Sequence, residues 1–130
     1  MIEWKNQSKD IEDYQGFIYR IIRKSDGKFY IGRKYYWKTI KMKPLKGRKN
    51  KRHKRIESDW KSYLGSSNSL TEDIELLGEN AFEKEILMNC YTKWECSYYE
   101  MKYQVNEEVL FRDDCYNGLI RVRLKKQKVK

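Results

Sequence analysis

The chain is poor in the residues that staple or anchor small proteins. Its three cysteines, Cys90, Cys96 and Cys115, are an odd number, and no two have zinc-finger spacing. His53 is the only histidine, so a zinc site has no support, and the thiols read as reduced and mostly buried. No run approaches the ~18 apolar residues of a membrane span. The start, Met1-Ile2-Glu3-Trp4-Lys5, lacks a signal-peptide stretch, so the protein is expected to stay in the cytoplasm that makes it. The one proline, Pro44, lies in a basic stretch, and no internal repeat is evident. At 130 residues a single domain is expected, large enough to bury a core without staples.

Acidic side chains are missing from one region altogether. Between Lys38 and Arg55 there are ten lysines and arginines and no Asp or Glu. They are Lys38, Lys41, Lys43, Lys46, Arg48, Lys49, Lys51, Arg52, Lys54 and Arg55. The net charge of +10 therefore resides in this segment, since the rest balances at 19 basic and 19 acidic side chains. Within that remainder Ile56 to Asp114 is acidic, with 14 acids against 5 bases. The end is basic again through Arg121, Arg123, Lys125, Lys126, Lys128 and Lys130. A charge run is ordinarily a solvated loop. Two single-sign basic segments flanking an acidic body instead favour a polyanionic partner.

The periodicities predict an α+β domain. Residues 1–15 read as a loosely docked polar arm with Trp4, Ile11 and Tyr14 as candidate anchors. Phe17 to Arg23 and Phe29 to Lys34 read as a β-hairpin closed by Ser25-Asp26-Gly27. Residues 38–55 read as a basic loop, and Glu57 to Gly65 as a short helix or turn carrying Trp60 and Tyr63. Ser69 with Glu72 suggests a capping box for a helix with Leu70, Ile74 and Leu77 on one face and Gly78 at its end. Phe82 to Asn89 reads as a third strand. Thr92 with Glu95 starts a second helix, whose inward face is expected to carry Trp94, Tyr98, Met101 and Val105. Leu119 to Leu124 reads as a last short strand, and 121–130 as a basic tail.

Two tyrosine words, Phe17-Ile18-Tyr19 and Tyr30-Ile31-Gly32, sit on the predicted hairpin with ten residues between Tyr19 and Tyr30. Across such a turn two phenols can converge. A phenol near a cation can position a water or accept its proton. Aromatic residues on strands more often serve packing, but Glu100 on a predicted helix adds a carboxylate. Tyrosines, an arginine or lysine and one glutamate suggest metal-assisted phosphodiester cleavage.

The ordered set resembles the GIY-YIG nuclease superfamily over about residues 16–120. Glu100 ahead of Met101-Lys102-Tyr103-Gln104 and the closing Tyr116-Asn117 fall in the family's order. The runs Trp60-Lys61-Ser62-Tyr63-Leu64-Gly65-Ser66-Ser67 and Asp113-Asp114 resemble small homing-type endonucleases of phage genomes. The resemblance implies a three-stranded antiparallel sheet flanked by helices. It implies DNA cleavage with one divalent metal per site, Mg²⁺ or Mn²⁺, held by Glu100, and no small-molecule cofactor. Tyr19 is then the general base, Tyr30 orients water or a phosphate oxygen, and Asn117 supports the site. It also places the protein in a bacterial cytoplasm during phage infection.

The sequence departs from the family pattern in two places. Phe17 replaces the first motif glycine, although Gly16 precedes it. The family's arginine has no counterpart, since Ile40 and Lys41 stand in the comparable positions. Arg33 and Lys34 are the nearest substitutes; Arg48, Arg52, Arg55 or His53 folding back over the site is the other. The basic loop, Lys46, Arg48, Lys49, Lys51, Arg52, His53, Lys54 and Arg55 above all, is the expected clamp on double-stranded DNA, through phosphates. One active site per chain makes a homodimer, or two sequential events, the route to a duplex cut. The rival readings are a catalytically inactive nucleic-acid-binding module and an inhibitor or interaction protein on the same fold.

Overall fold

A computed structural model describes residues 1–128; Lys130 of the basic tail lies outside the described residues. The elements are β1 (Trp4–Lys5), β2 (Gly16–Arg23), β3 (Phe29–Tyr35), β4 (Trp37–Met42), β5 (Arg52–Glu57), α1 (Asn68–Leu77), β6 (Phe82–Cys90) and α2 (Lys93–Asn106). The expected hairpin is present. Gly27 adopts φ +78, a conformation costly for other residues, and Asp26 Oδ1 accepts the Lys28 amide at 3.2 Å.

The main sheet has four strands in the order β1-β6-β2-β3 and is mixed. β2 pairs antiparallel with both β3 and β6, which gives the expected three-stranded core. The correction is β1, which pairs parallel to β6. The segment 1–15 is therefore not a loosely docked arm. Trp4 is buried, and its indole N–H donates to the Trp60 carbonyl at 2.6 Å. An indole enters a core when its N–H finds a partner.

Alternation along β2 divides the core. Phe17, Tyr19 and Ile21 face a layer formed by Trp4, Trp60, Leu70 and Ile74. Ile18 faces the other layer, with Phe29, Ile31, Cys90, Cys96 and Cys115. The three thiols are buried, as expected.

The basic segment is not a loop at its ends. β4 and β5 form a separate antiparallel ribbon, with Trp37 opposite Glu57 and Met42 opposite Arg52. Like charges along a run hide the strand pattern, because period 2 is read from hydrophobic alternation. Residues 58–65 form a turn rather than a helix.

Both helices differ in detail from the sequence reading. Ser67, not Ser69, caps α1, accepting from the Leu70 amide at 3.4 Å. Leu70 and Ile74 are buried, but Leu77 is about half exposed. Thr92 caps α2 as expected, accepting from the Glu95 amide at 3.1 Å. The buried face of α2 is not the aromatic stripe: Cys96 and Gln104 face inward, and Val105 is exposed. Residues 119–124 form no strand.

Candidate active site at the edge of β3

β3 is an edge strand of the main sheet. The outward N–H and C=O of an edge residue need a partner. Asn117 supplies it for Ile31, in the middle of the second tyrosine word. Its Oδ1 accepts the Ile31 amide at 3.0 Å, and its Nδ2 donates to the Ile31 carbonyl at 2.8 Å. Gln104, from α2, donates to the same carbonyl at 3.0 Å. The closing turn is held alongside by a parallel bridge between Phe29 and Cys115.

This arrangement opens a cleft of about 510 Å³ at the strand edge, lined by Tyr30, Ser67, Asn68, Glu100, Gln104, Tyr116, Asn117 and Arg121 among others. Tyr30 reaches it from one face of the sheet and Glu100 from α2 on the other. Tyr30 shares a 3.3 Å hydrogen bond with Ser66 Oγ. Burial is the main cause of its raised pKa, so the phenol is neutral near pH 7. Glu100 is largely buried, and desolvation raises its carboxyl above the ordinary value although Arg33 pulls the other way.

Arg33 and Lys34 point in different directions, as neighbours on a strand do. Arg33 forms an ion pair with Glu100, Nη1 to Oε1 at 2.9 Å. Lys34 pairs with Asp59 at 2.7 Å and lies 4.2 Å from the Tyr63 ring. Ribbon side chains do not fold back over the cleft. Arg55 contacts Glu12, Arg52 the Lys43 carbonyl, and His53 is exposed on β5.

Tyr19 lies one layer beneath. Its hydroxyl is buried and has no hydrogen-bond partner among the described residues. Burial first, then Tyr63 and Tyr30, pushes its pKa well up. The neighbouring strand leaves room for it only because residue 32 is glycine: a Cβ there would stand 2.5 Å from the Tyr19 hydroxyl. Tyr63 packs edge-on against Tyr19 with centroids 5.9 Å apart.

Several contributors are not recognisable from the sequence. Lys84 is 1% exposed and donates to the carbonyls of Lys61 and Tyr63 at 2.8 and 3.1 Å, which fixes the turn carrying Tyr63. Arg121 lines the cleft and has no ion pair among the described residues. The tail that carries it is held by the Trp94 indole donating to the Lys125 carbonyl at 2.9 Å. Gln104 does leave a signal, as one member of Cys96, Glu100 and Gln104, spaced i, i+4, i+8.

Among the described residues no three His, Cys, Asp or Glu side chains converge as a metal cage. Glu100 offers Oε2, which has no side-chain donor among the described residues. One carboxylate on an open polar cleft fits a hard divalent ion that keeps most of its waters, and does not fit structural zinc.

A small sheet whose tyrosine hairpin forms one edge, and a helix delivering one glutamate to that edge, frame the cleft. Residues 2–120 match the family described as "Putative endonuclease segE, GIY-YIG domain". The chain belongs to this family, within the GIY-YIG superfamily. Neither a curated protein nor a solved structure matches it. No helix among the described residues is long and apolar enough to cross a membrane.

Proposed function

We propose that the chain is a metal-assisted DNA endonuclease of the phage-borne homing type, which hydrolyses a phosphodiester in the Tyr30–Glu100 cleft. The observation that carries this reading is the convergence of Tyr30, Glu100 and Arg121 on one cleft, at a strand edge fixed by Asn117 and Gln104. Family membership supplies the class of reaction.

Glu100 would hold the divalent ion, which when bound would polarise the phosphate and acidify a water. Arg33 orients Glu100 and favours its ionised form against the desolvation that opposes it. Arg121, on the cleft wall, neutralises the phosphate and the charge that builds on it. Tyr30 orients the attacking water. Tyr19, held protonated by burial, supports Tyr30 from beneath, their ring centroids being 6.1 Å apart. This assignment moves the role next to the nucleophile from Tyr19 to Tyr30. A homodimer would deliver two such clefts to the two strands.

The Arg33–Glu100 ion pair also favours a second reading, an inactive nucleic-acid-binding module, because an arginine on a carboxylate competes with a metal. One experiment separates the two. Plasmid DNA is incubated with wild type and with Glu100→Ala, in Mg²⁺, Mn²⁺ or EDTA. Metal-dependent nicking lost in the variant supports the nuclease. Salt-sensitive binding without cutting, on substrates that include the chain's own flanking genome, supports the binding module.

A further inference from the structure

The basic ribbon presents two unlike faces. Cross-strand partners share a face, so Trp37, Thr39 and Lys41 lie with Glu57, Arg55 and His53. At its base that face is engaged with the body through Trp37 and Arg55. The Trp37 indole donates to the Tyr14 carbonyl at 2.9 Å, Arg55 stacks 3.8 Å from the Trp37 ring, and Arg55 bonds Glu12. The opposite face carries Lys38, Ile40 and Met42 beside Ile56, Lys54 and Arg52. It holds no acid, and none of its cations has an ion pair among the described residues. Ile40 is 38% exposed there. At its base Lys38 lines a cleft with Arg33 and Lys34, which connects it to the strand bearing Tyr30.

We propose that this free face enters the major groove of B-form double-stranded DNA and reads base edges there. The inference rests on DNA being the substrate and names how the duplex is held. Two paired strands of six residues make a rod ~20 Å long. The B-form major groove, ~12 Å wide, admits a two-stranded ribbon without deformation, whereas the minor groove, ~6 Å wide, would first have to be opened. Lys38, Lys54 and Arg52 are placed to meet phosphates and guanine edges. Ile40 and Met42 between them suit thymine methyl groups. A protein partner fits less well, because interface cores are depleted of charge. An A-form RNA duplex closes its major groove to side chains, so the ribbon distinguishes the two duplexes by shape.

The test measures binding by wild-type protein in EDTA, where no cutting occurs. The ligands are one DNA duplex, the same duplex with bulky pyrimidine C5 substituents, the same duplex saturated with netropsin, and the RNA duplex of that sequence. C5 substitution and the RNA duplex should each weaken binding by at least about tenfold. Netropsin in the minor groove should change it by less than about twofold. An Ile40→Ala/Lys54→Ala protein, altered only at exposed positions, should lose these differences. Equal affinity for all four ligands, competition by netropsin, or no duplex binding would overturn the proposal. Groove discrimination without metal-dependent cutting would leave the ribbon standing and sink the nuclease. Cutting without discrimination would do the reverse.

Discussion

The side-chain amide of Asn117 pairs with both backbone groups of Ile31, as a neighbouring strand would. It completes the sheet at the one place where Tyr30 must be held and a substrate must still enter. Asn117→Ala leaves the amide of Ile31 without its partner and the carbonyl with Gln104 alone. A buried orphan of this kind costs about 1–3 kcal/mol, and urea unfolding should show a loss of that order. Asn117→Asp keeps the acceptor for the Ile31 amide but sets a buried carboxylate oxygen against the Ile31 carbonyl, so it should lose at least as much.

Gly32 and Tyr19 form a second dependent pair. Gly32→Ala places a methyl where the Tyr19 hydroxyl lies, 2.5 Å away, and should destabilise by about 1–3 kcal/mol. Tyr19→Phe removes a hydroxyl that has no partner, so its melting temperature should equal or exceed that of wild type. If the Tyr19→Phe protein also cuts at more than about a tenth of the wild-type rate, a base role for Tyr19 is excluded, since general bases contribute about 10²–10⁴-fold.

Glu100 sets a pH dependence. Its folded pKa is raised by desolvation, so the native state holds this proton more tightly than the unfolded chain does. Stability contributed at Glu100 is therefore lost as pH rises from the ordinary carboxylate value through the raised one. Glu100→Gln should melt higher than wild type at pH 7 and converge with it below the unperturbed carboxylate pKa. Cleavage by wild type should rise over the same window, as the carboxylate ionises.

Arg121→Ala should lower single-turnover cleavage by about a hundredfold, the size seen when a preorganised charge-stabilising donor is removed, with little change in duplex affinity. Trp94→Ala, which frees the tail from its hydrogen bond, should reproduce part of that loss. Arg121→Lys should recover some of the rate, a result a merely structural role would not give.

The loop between β4 and β5, together with Arg52 at the start of β5, should act through phosphates. Replacing Lys49, Lys51 and Arg52 by alanine should reduce the slope of log K against log salt by about 2.7, or 0.9 for each phosphate no longer neutralised. An unchanged slope in a salt titration would place this loop away from DNA.

Much of this is legible in the sequence because local chemistry and fold agree. The Asp26-Gly27 turn, the two strands around it and the Thr92 cap each follow from neighbouring residues. What escapes depends on distant partners. Trp4 reads as an anchor of a polar arm until the Trp60 carbonyl is placed beside it. The inward face of α2 mixes Cys96, Tyr99 and Tyr103, which pack on the core, with Glu100 and Gln104, which serve a cleft and a strand edge, so no clean apolar stripe marks it. Trp94 and Tyr98 instead stack on each other, 5.2 Å apart, and Trp94 holds the tail. The second tyrosine word draws attention to the cations beside it. Arg121 reaches the cleft from far along the chain, and no local pattern could announce it.

The ribbon leaves and rejoins the body at Trp37 and Glu57, which stand opposite each other across one pair of strands. A segment with adjacent ends can be lengthened, shortened or exchanged without moving what lies on either side. With the ribbon reading the duplex as proposed, target choice and bond cleavage would be heritable separately. A relative could acquire a new site by trading this one finger while Tyr30, Glu100 and Asn117 stay as they are, and an engineer could make the same exchange.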